Sequence, residues 1–296
     1  MTTAAPTGAR VARPAPARAD DEQLRLFSTS LTMLGLLAVW FLAQLFVLSA
    51  ISQDRQQQIL HDRFRAELAS AVAPVGPIVD QGAPVALLRI PALELDQVVV
   101  EGTTSGDLLA GPGHRRDTAL PGQVGTSLVY GRSGTYGAPF AKLAELSVGD
   151  RIEVVAGQGT TRFSVIGIRR AGDPLPQPAS GEVARLTLAT SEGEGRLGAL
   201  ARGDVVYVDA EAEKGFPAPA GRFSAVGEEE KAMGTDHGIL PRLALLLGLL
   251  VLTTLAIVAA RQRWSAALTW VVATPVAVAL CWATTDAAMR LLPNLV

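Results

Sequence analysis

A chain of 296 residues has room for one or two domains, and 49% hydrophobic against 18% charged residues is too apolar for a wholly soluble protein. A net charge of −2 leaves no basic footprint for nucleic acid, so none is expected as a partner. The lone cysteine, Cys281, excludes an intrachain disulfide framework. His61, His114 and His237 lack metal-ligand spacing, so neither a metal site nor any other cofactor is expected.

Residues 1–27 are rich in Ala, Pro and Arg, have little to bury, and read as a disordered cytoplasmic tail. Residues 28–51 read as a first transmembrane helix, because LTMLGLLAVWFLAQLFVLSAI is uncharged and reaches the ~20 residues that a span needs. That core is longer than a secretory signal's and no small-residue cleavage site follows at once, which favours an uncleaved anchor. Residues 52–82 read as a juxtamembrane helix, carrying Ile59, Leu60, Phe64 and Leu68, and a Pro/Gly linker.

Residues 83–213 form the expected folded domain, closed off by a second linker over 214–238. Short β-type runs at 85–90, 97–100, 127–130, 151–155, 161–168, 186–190 and 205–208 alternate with turn residues, and Gly157-Gln158-Gly159 signals a hairpin. Only 138–146 looks helical, with Phe140, Leu143 and Leu146 on one side. Many short strands with few helices argue for a mainly β domain, either a closed barrel or a sandwich.

Residues 239–260 and 265–285 read as two further spans in a tight hairpin. The arginines at 10, 13, 18 and 25 and those at 261 and 263 belong in the cytoplasm by the positive-inside bias. Three spans then leave the domain and the C-terminal tail outside, in a multi-pass protein of the cell membrane whose first partner is the lipid bilayer. Asp286 and Arg290 lie near the outer end of the last span, where hydration is the ordinary fate of charges and function the alternative. Cys281, within that span, reads as a small apolar packer.

Four phrases in the domain are distinctive in combination: IPALELDQVVVEGTT, LLAGPGHRRDTALPGQVGT, GTYGAPFAKLAELSVGDRIEV and LTLATS. In order and spacing they resemble a sortase domain of the actinobacterial type over nearly all of residues 85–209. The resemblance implies an eight-stranded closed β-barrel with one or two short helices and a peptide groove. It also implies a Gram-positive cell envelope, and a cysteine transpeptidase that attaches surface proteins to the cell wall.

Two positions depart from the family's pattern. The phrase before GTYGAPF ends there in glycine and the catalytic histidine, and here in Gly131 and Arg132. The nucleophile's phrase ends there in cysteine, and here Thr187-Leu188-Ala189-Thr190 is followed by Ser191. The family's arginine corresponds to Arg196 or Arg202. A serine hydroxyl needs a base to become a nucleophile, and a guanidinium that stays charged cannot be that base. His114 is a candidate rescue, more simply a hydrogen-bonded structural histidine, and Glu192 and Glu194 beside the serine are candidate carboxylate bases, more simply solvated. The expectation is therefore a pseudoenzyme with no catalytic residue, whose groove serves as a surface for a cell-envelope peptide or protein. The alternatives are a hydrolase or transpeptidase using Ser191, and a structural role for the spans with the barrel as an accessory.

Overall fold

In β6 (Gly159–Arg170) the sequence TTRFSVI sends Thr161, Phe163 and Val165 inward and leaves Thr160, Arg162, Ser164 and Ile166 outside. That period of two is what a half-buried strand requires. The computed structural model describes residues 31, 35, 39–40, 42–76, 78–170, 172–192, 204–261, 263 and 265–296. The chain divides into Met1–Leu42 and Ala43–Val296. In the first part the described residues Leu31, Gly35, Val39, Trp40 and Leu42 are helical, and Leu31, Val39 and Leu42 are exposed.

In the second part eight strands close into a barrel: β1 (Pro84–Ile90), β2 (Leu95–Glu101), β3 (Gly113–His114), β4 (Gly125–Tyr130), β5 (Arg151–Ala156), β6, β7 (Ala184–Glu192) and β8 (Asp204–Ala212). Their order around the barrel is β1-β2-β3-β4-β7-β8-β6-β5. The pairs β2/β3 and β4/β7 are parallel, and the remaining neighbours run antiparallel. Leu88, Ile90, Ile152, Phe163, Leu186 and Val208 fill the interior. The sequence points to seven of these strands. It misses β3, whose two residues are too few to show a period.

The expected helix over 138–146 is not formed. Tyr136 and Ala138 both have left-handed backbones, at φ 48° and 46°, and Pro139 follows. The chain instead makes successive turns, with the Phe140 N–H on the Arg132 carbonyl at 3.0 Å and a 3₁₀ turn at Leu143–Glu145. Phe140, Leu143 and Leu146 are nevertheless buried, as their spacing demands. Burying each stabilises the fold by roughly 1.5–3 kcal/mol, and these turns bury them as well as a helix would.

A π-turn at Gln44–Leu48 leads into α1 (Ser49–Ala69), whose Leu60 and Phe64 pack on Leu87, Val98 and Val100. The short β3 leaves part of β2's main chain uncovered, and Gln57 covers it. Its side-chain amide donates to the Val98 carbonyl at 3.1 Å and accepts from the Val98 N–H at 2.8 Å.

After β8 the chain runs along the barrel. The Phe216 carbonyl accepts from the Val124 N–H at 2.9 Å, and buried Glu230 meets Arg116. Two long helices then form a hairpin, α2 (Leu240–Arg261) and α3 (Ala266–Met289). Ser265 caps α3, accepting from the Leu268 N–H at 3.3 Å. Leu245, Leu252, Leu255, Trp270 and Val271 all face outward. Two helices, not three, are thus long and apolar enough to cross a membrane among the described residues. Of the first expected span, 28–51, residues 28–30, 32–34, 36–38 and 41 lie outside them.

Candidate functional site

Strands β4 and β7 run side by side in parallel, with Val129 opposite Leu188 and Tyr130 opposite Ala189. That register brings the residues just beyond, Gly131-Arg132 and Thr190-Ser191, to the same place. The Gly131 N–H donates to the Ala189 carbonyl at 3.0 Å, and Thr190 Oγ1 donates to the Gly131 carbonyl at 2.8 Å. Position 131 requires glycine, because a Cβ there would lie 2.4 Å from the Phe140 ring.

Ser191 is buried. Its Oγ donates to the Leu295 carbonyl at 3.0 Å and lies 2.6 Å from Ser133 Oγ. A carbonyl and a second hydroxyl are both far too weakly basic to take a proton from serine. The two described candidate bases, Glu192 and His114, have other partners. Glu192 is turned to the outside by strand alternation and bonds the exposed Arg170 at 2.6 and 2.7 Å, which holds its carboxyl below the usual range.

His114 is buried on β3, with Nδ1 2.8 Å from Glu101 Oε2 and Nε2 2.8 Å from the Ala119 carbonyl. Both ring nitrogens are engaged, so His114 has the structural role. Glu194, Arg196 and Arg202 lie outside the described residues.

Arg132 is fully buried. Its Nη1 donates to Thr135 Oγ1 at 3.0 Å and to Val296 O at 2.6 Å, and its Nη2 to the Ser105 carbonyl and Oγ at 3.0 and 2.8 Å. The guanidinium lies over the Tyr136 ring, 5.5 Å from its centroid, and among the described residues its Nε has no hydrogen-bond partner. Among the described residues no side-chain carboxylate pairs with it directly. Burial pushes its pKa down to about 10, which still leaves it charged at neutral pH.

The occupant of this site is the chain's own segment 291–296. Leu295 is buried in a pocket with Leu108, Tyr130, Ala189 and Val205. Its carbonyl accepts from the Ser133 N–H at 3.0 Å as well as from Ser191. Thr135 Oγ1 joins Arg132 on Val296 O, at 2.7 Å. Asn294 Nδ2 donates to the Thr103 and Lys231 carbonyls at 2.7 and 2.9 Å. Just before the segment, Met289 packs on Leu109 and Tyr136, and Asp286 accepts from the Tyr136 hydroxyl at 3.1 Å. Asp286 and Arg290 thus belong to the contact between α3 and the barrel; Arg290 lies 3.8 Å from Asp286. Sequence reasoning places Arg132 and Ser191 together, but misses Ser105, Ser133, Thr135 and the whole occupying segment. Thr135 sits within a distinctive phrase and Ser133 immediately before it; nothing local marks 291–296.

The sortase-domain family model matches residues 88–191. Sortase D of Bacillus subtilis is 29% identical over 80 residues, which make up 27% of this chain and 39% of that protein's length. Among solved structures, a Clostridium perfringens Sortase D5 transpeptidase is 20% identical, with a TM-score of 0.42 over 54% of this chain and 97% of that one. Sortase C-1 from Actinomyces oris is 25% identical, with a TM-score of 0.39 over 51% and 98%.

Proposed function

Residues 88–191 form a sortase-family domain, and from that premise we propose that the protein is a non-catalytic member of the family, a binding or scaffolding module of the cell envelope. Its groove takes a peptide or protein segment without cutting it. The observation that carries this reading is the surroundings of Ser191. Within hydrogen-bond reach its Oγ has Ser133 Oγ and the Leu295 carbonyl, and at the family's histidine position stands a buried guanidinium. Acyl transfer needs a base for the nucleophile and an acid for the leaving amine, and among the described residues this arrangement supplies neither.

The domain, over 83–213, stands outside a Gram-positive-type membrane on three spans, at 28–51, 239–260 and 265–285. The arginines that flank the spans support this, and so does the seat of 291–296 on the barrel. Two crossings between barrel and tail return the tail to the barrel's side.

The full chain, in detergent, is incubated with fluorogenic sorting-type peptides beside its Ser191→Ala, Ser191→Cys and Ser191→Cys/Arg132→His variants. The expected result is no turnover by the first two and little by the third, since Arg132 cannot protonate a leaving group; the double variant exceeds the third. Turnover by the unmodified chain that Ser191→Ala abolishes would overturn the proposal.

A further inference from the structure

The end of α3 and segment 291–296 are held by the same stretch of the barrel, 132–136. The Tyr136 hydroxyl donates to Asp286, and the Tyr136 side chain packs on Met289. The Arg132 guanidinium lies over the same ring, within the field of Asp286, and with Thr135 it donates to the main-chain oxygen of Val296. These contacts close a ring: α3 to Tyr136, Tyr136 to Arg132, Arg132 to segment 291–296, and that segment back along the chain to α3. A third element joins at the same point. Ser49 Oγ of α1 accepts from the Tyr136 N–H at 3.4 Å, and a Cβ on Gly137 would lie 2.6 Å from Gln53 Oε1. Tyr136, Gly137 and Ala138 all have left-handed backbones, which non-glycine residues keep only where their surroundings hold them.

Segment 291–296 is not a strand of the barrel, and Leu295 lies in a cluster separate from the barrel's core. The barrel therefore keeps its core and its ladder when the segment leaves. What seats it is a series of contacts that fit an extended peptide. The Asn294 N–H meets the Gly234 carbonyl, its amide meets the Thr103 and Lys231 carbonyls, and the Leu295 side chain fills its pocket. The Leu295 oxygen then rests on Ser133 and Ser191, and the Val296 oxygen on Thr135 and Arg132. The main-chain groups among these are present in any peptide, wherever it ends. Asn294 Oδ1 is buried with no hydrogen-bond partner among the described residues, so the seat is not fully matched to the segment.

We propose that these contacts form a clasp by which the groove reports its occupancy to the membrane hairpin. An extended peptide with Asn followed by two aliphatic residues displaces 291–296, and α3, left with the contacts at Asp286–Arg290, moves off the barrel. The proposal deepens the binding-module reading and rests on it, adding a ligand class and a consequence of binding. Ligand and segment use the same groove contacts, but only the segment is tethered to α3. That difference is what shifts the hairpin's equilibrium when one replaces the other. Arg132 serves as the latch and Ser191 as a peptide-binding hydroxyl.

The test uses the full chain in detergent. Spin labels on the native Cys281 of α3 and on Ser164→Cys, at an exposed position of β6, report the distance between hairpin and barrel by electron–electron resonance. The ligand probe is a fluorescent peptide, Leu-Leu-Pro-Asn-Leu-Val, capped at both ends and followed by anisotropy. Leu295→Asp unseats the segment, because a carboxylate cannot enter the pocket of Leu108, Tyr130 and Val205. Should that variant not fold, Asn294→Ala, which deletes the amide's hydrogen bonds, takes its place. Leu295→Asp should by itself change the distance distribution, and should bind the peptide about tenfold more tightly than the unmodified chain. Saturating peptide should give the unmodified chain that same changed distribution. Asp in place of the peptide's Asn should weaken binding, and Tyr136→Phe, which opens the clasp at Asp286, should strengthen it. An unchanged distance with peptide bound overturns the proposal and leaves the binding-module reading standing. No binding of the peptide to the Leu295→Asp chain also overturns it. Cleavage of the peptide would instead overturn the non-catalytic reading, and the distance would still decide the clasp.

Discussion

Of the three basic side chains buried among the described residues of the barrel, His114, Arg132 and Arg185, the first two are treated in opposite ways. His114 is enclosed with a carboxylate on one nitrogen and a carbonyl on the other, all supplied by the barrel itself. Arg132 is enclosed as deeply, yet its barrel partners are hydroxyls, a carbonyl and an aromatic face, and one of its best-directed N–H groups goes to segment 291–296. The first arrangement is closed and reads as scaffold. The second is complete only with a partner, which is how a binding site differs from a structural ion pair.

The largest effect should come from breaking the closed arrangement. Glu101→Ala strands His114 and should destabilise the barrel by about 3–5 kcal/mol, read by denaturant unfolding. The tail should still seat in whatever fraction stays folded. Next comes Arg132→Met, and its sign should depend on the tail. With segment 291–296 seated, the lost bonds should cost about 1–3 kcal/mol. In a Leu295→Asp background the same substitution removes a buried charge that has lost a partner and should be neutral or stabilising. A loss of equal size in both backgrounds would put Arg132 beside His114 as scaffold, and the comparison would fail.

The smallest effect belongs to an exposed cation. Arg170→Ala breaks the surface pair with Glu192 and should leave the melting temperature unchanged within error. Its visible consequence should be in titration: the Glu192 carboxyl, held low chiefly by its hydrogen bond to Arg170, should move upward in an NMR pH series. The sign is fixed. Whatever stability the depressed carboxyl gives is present above its unfolded pKa and is lost as pH falls through the folded value.

The strands were legible because their side chains alternate, as Thr161, Phe163 and Val165 do in β6, or because β-branched and aliphatic residues run together, as in β7. At 138–146 the spacing of Phe140, Leu143 and Leu146 correctly implied burial on one side. The conformation was misread, since apolar spacing cannot reveal that Tyr136 and Ala138 take left-handed backbones to wrap Arg132. Within the site, Arg132 and Ser191 could be paired from the phrases around them. The contact of Arg132 with residue 296 spans 164 positions and leaves no periodic trace, so only the folded chain reveals it.

The closed order of the sheet has one more consequence. A strand edge offers a repeating ladder of N–H and C=O groups that any extended peptide can join, almost regardless of sequence. Here β5 returns to β1, and the barrel shuts on itself. Among the described residues, the main-chain N–H that the barrel's β4–β5 connection gives to segment 291–296 is that of Ser133. Recognition therefore depends on side chains read one position at a time, and selectivity in this groove can be rewritten residue by residue without disturbing the sheet.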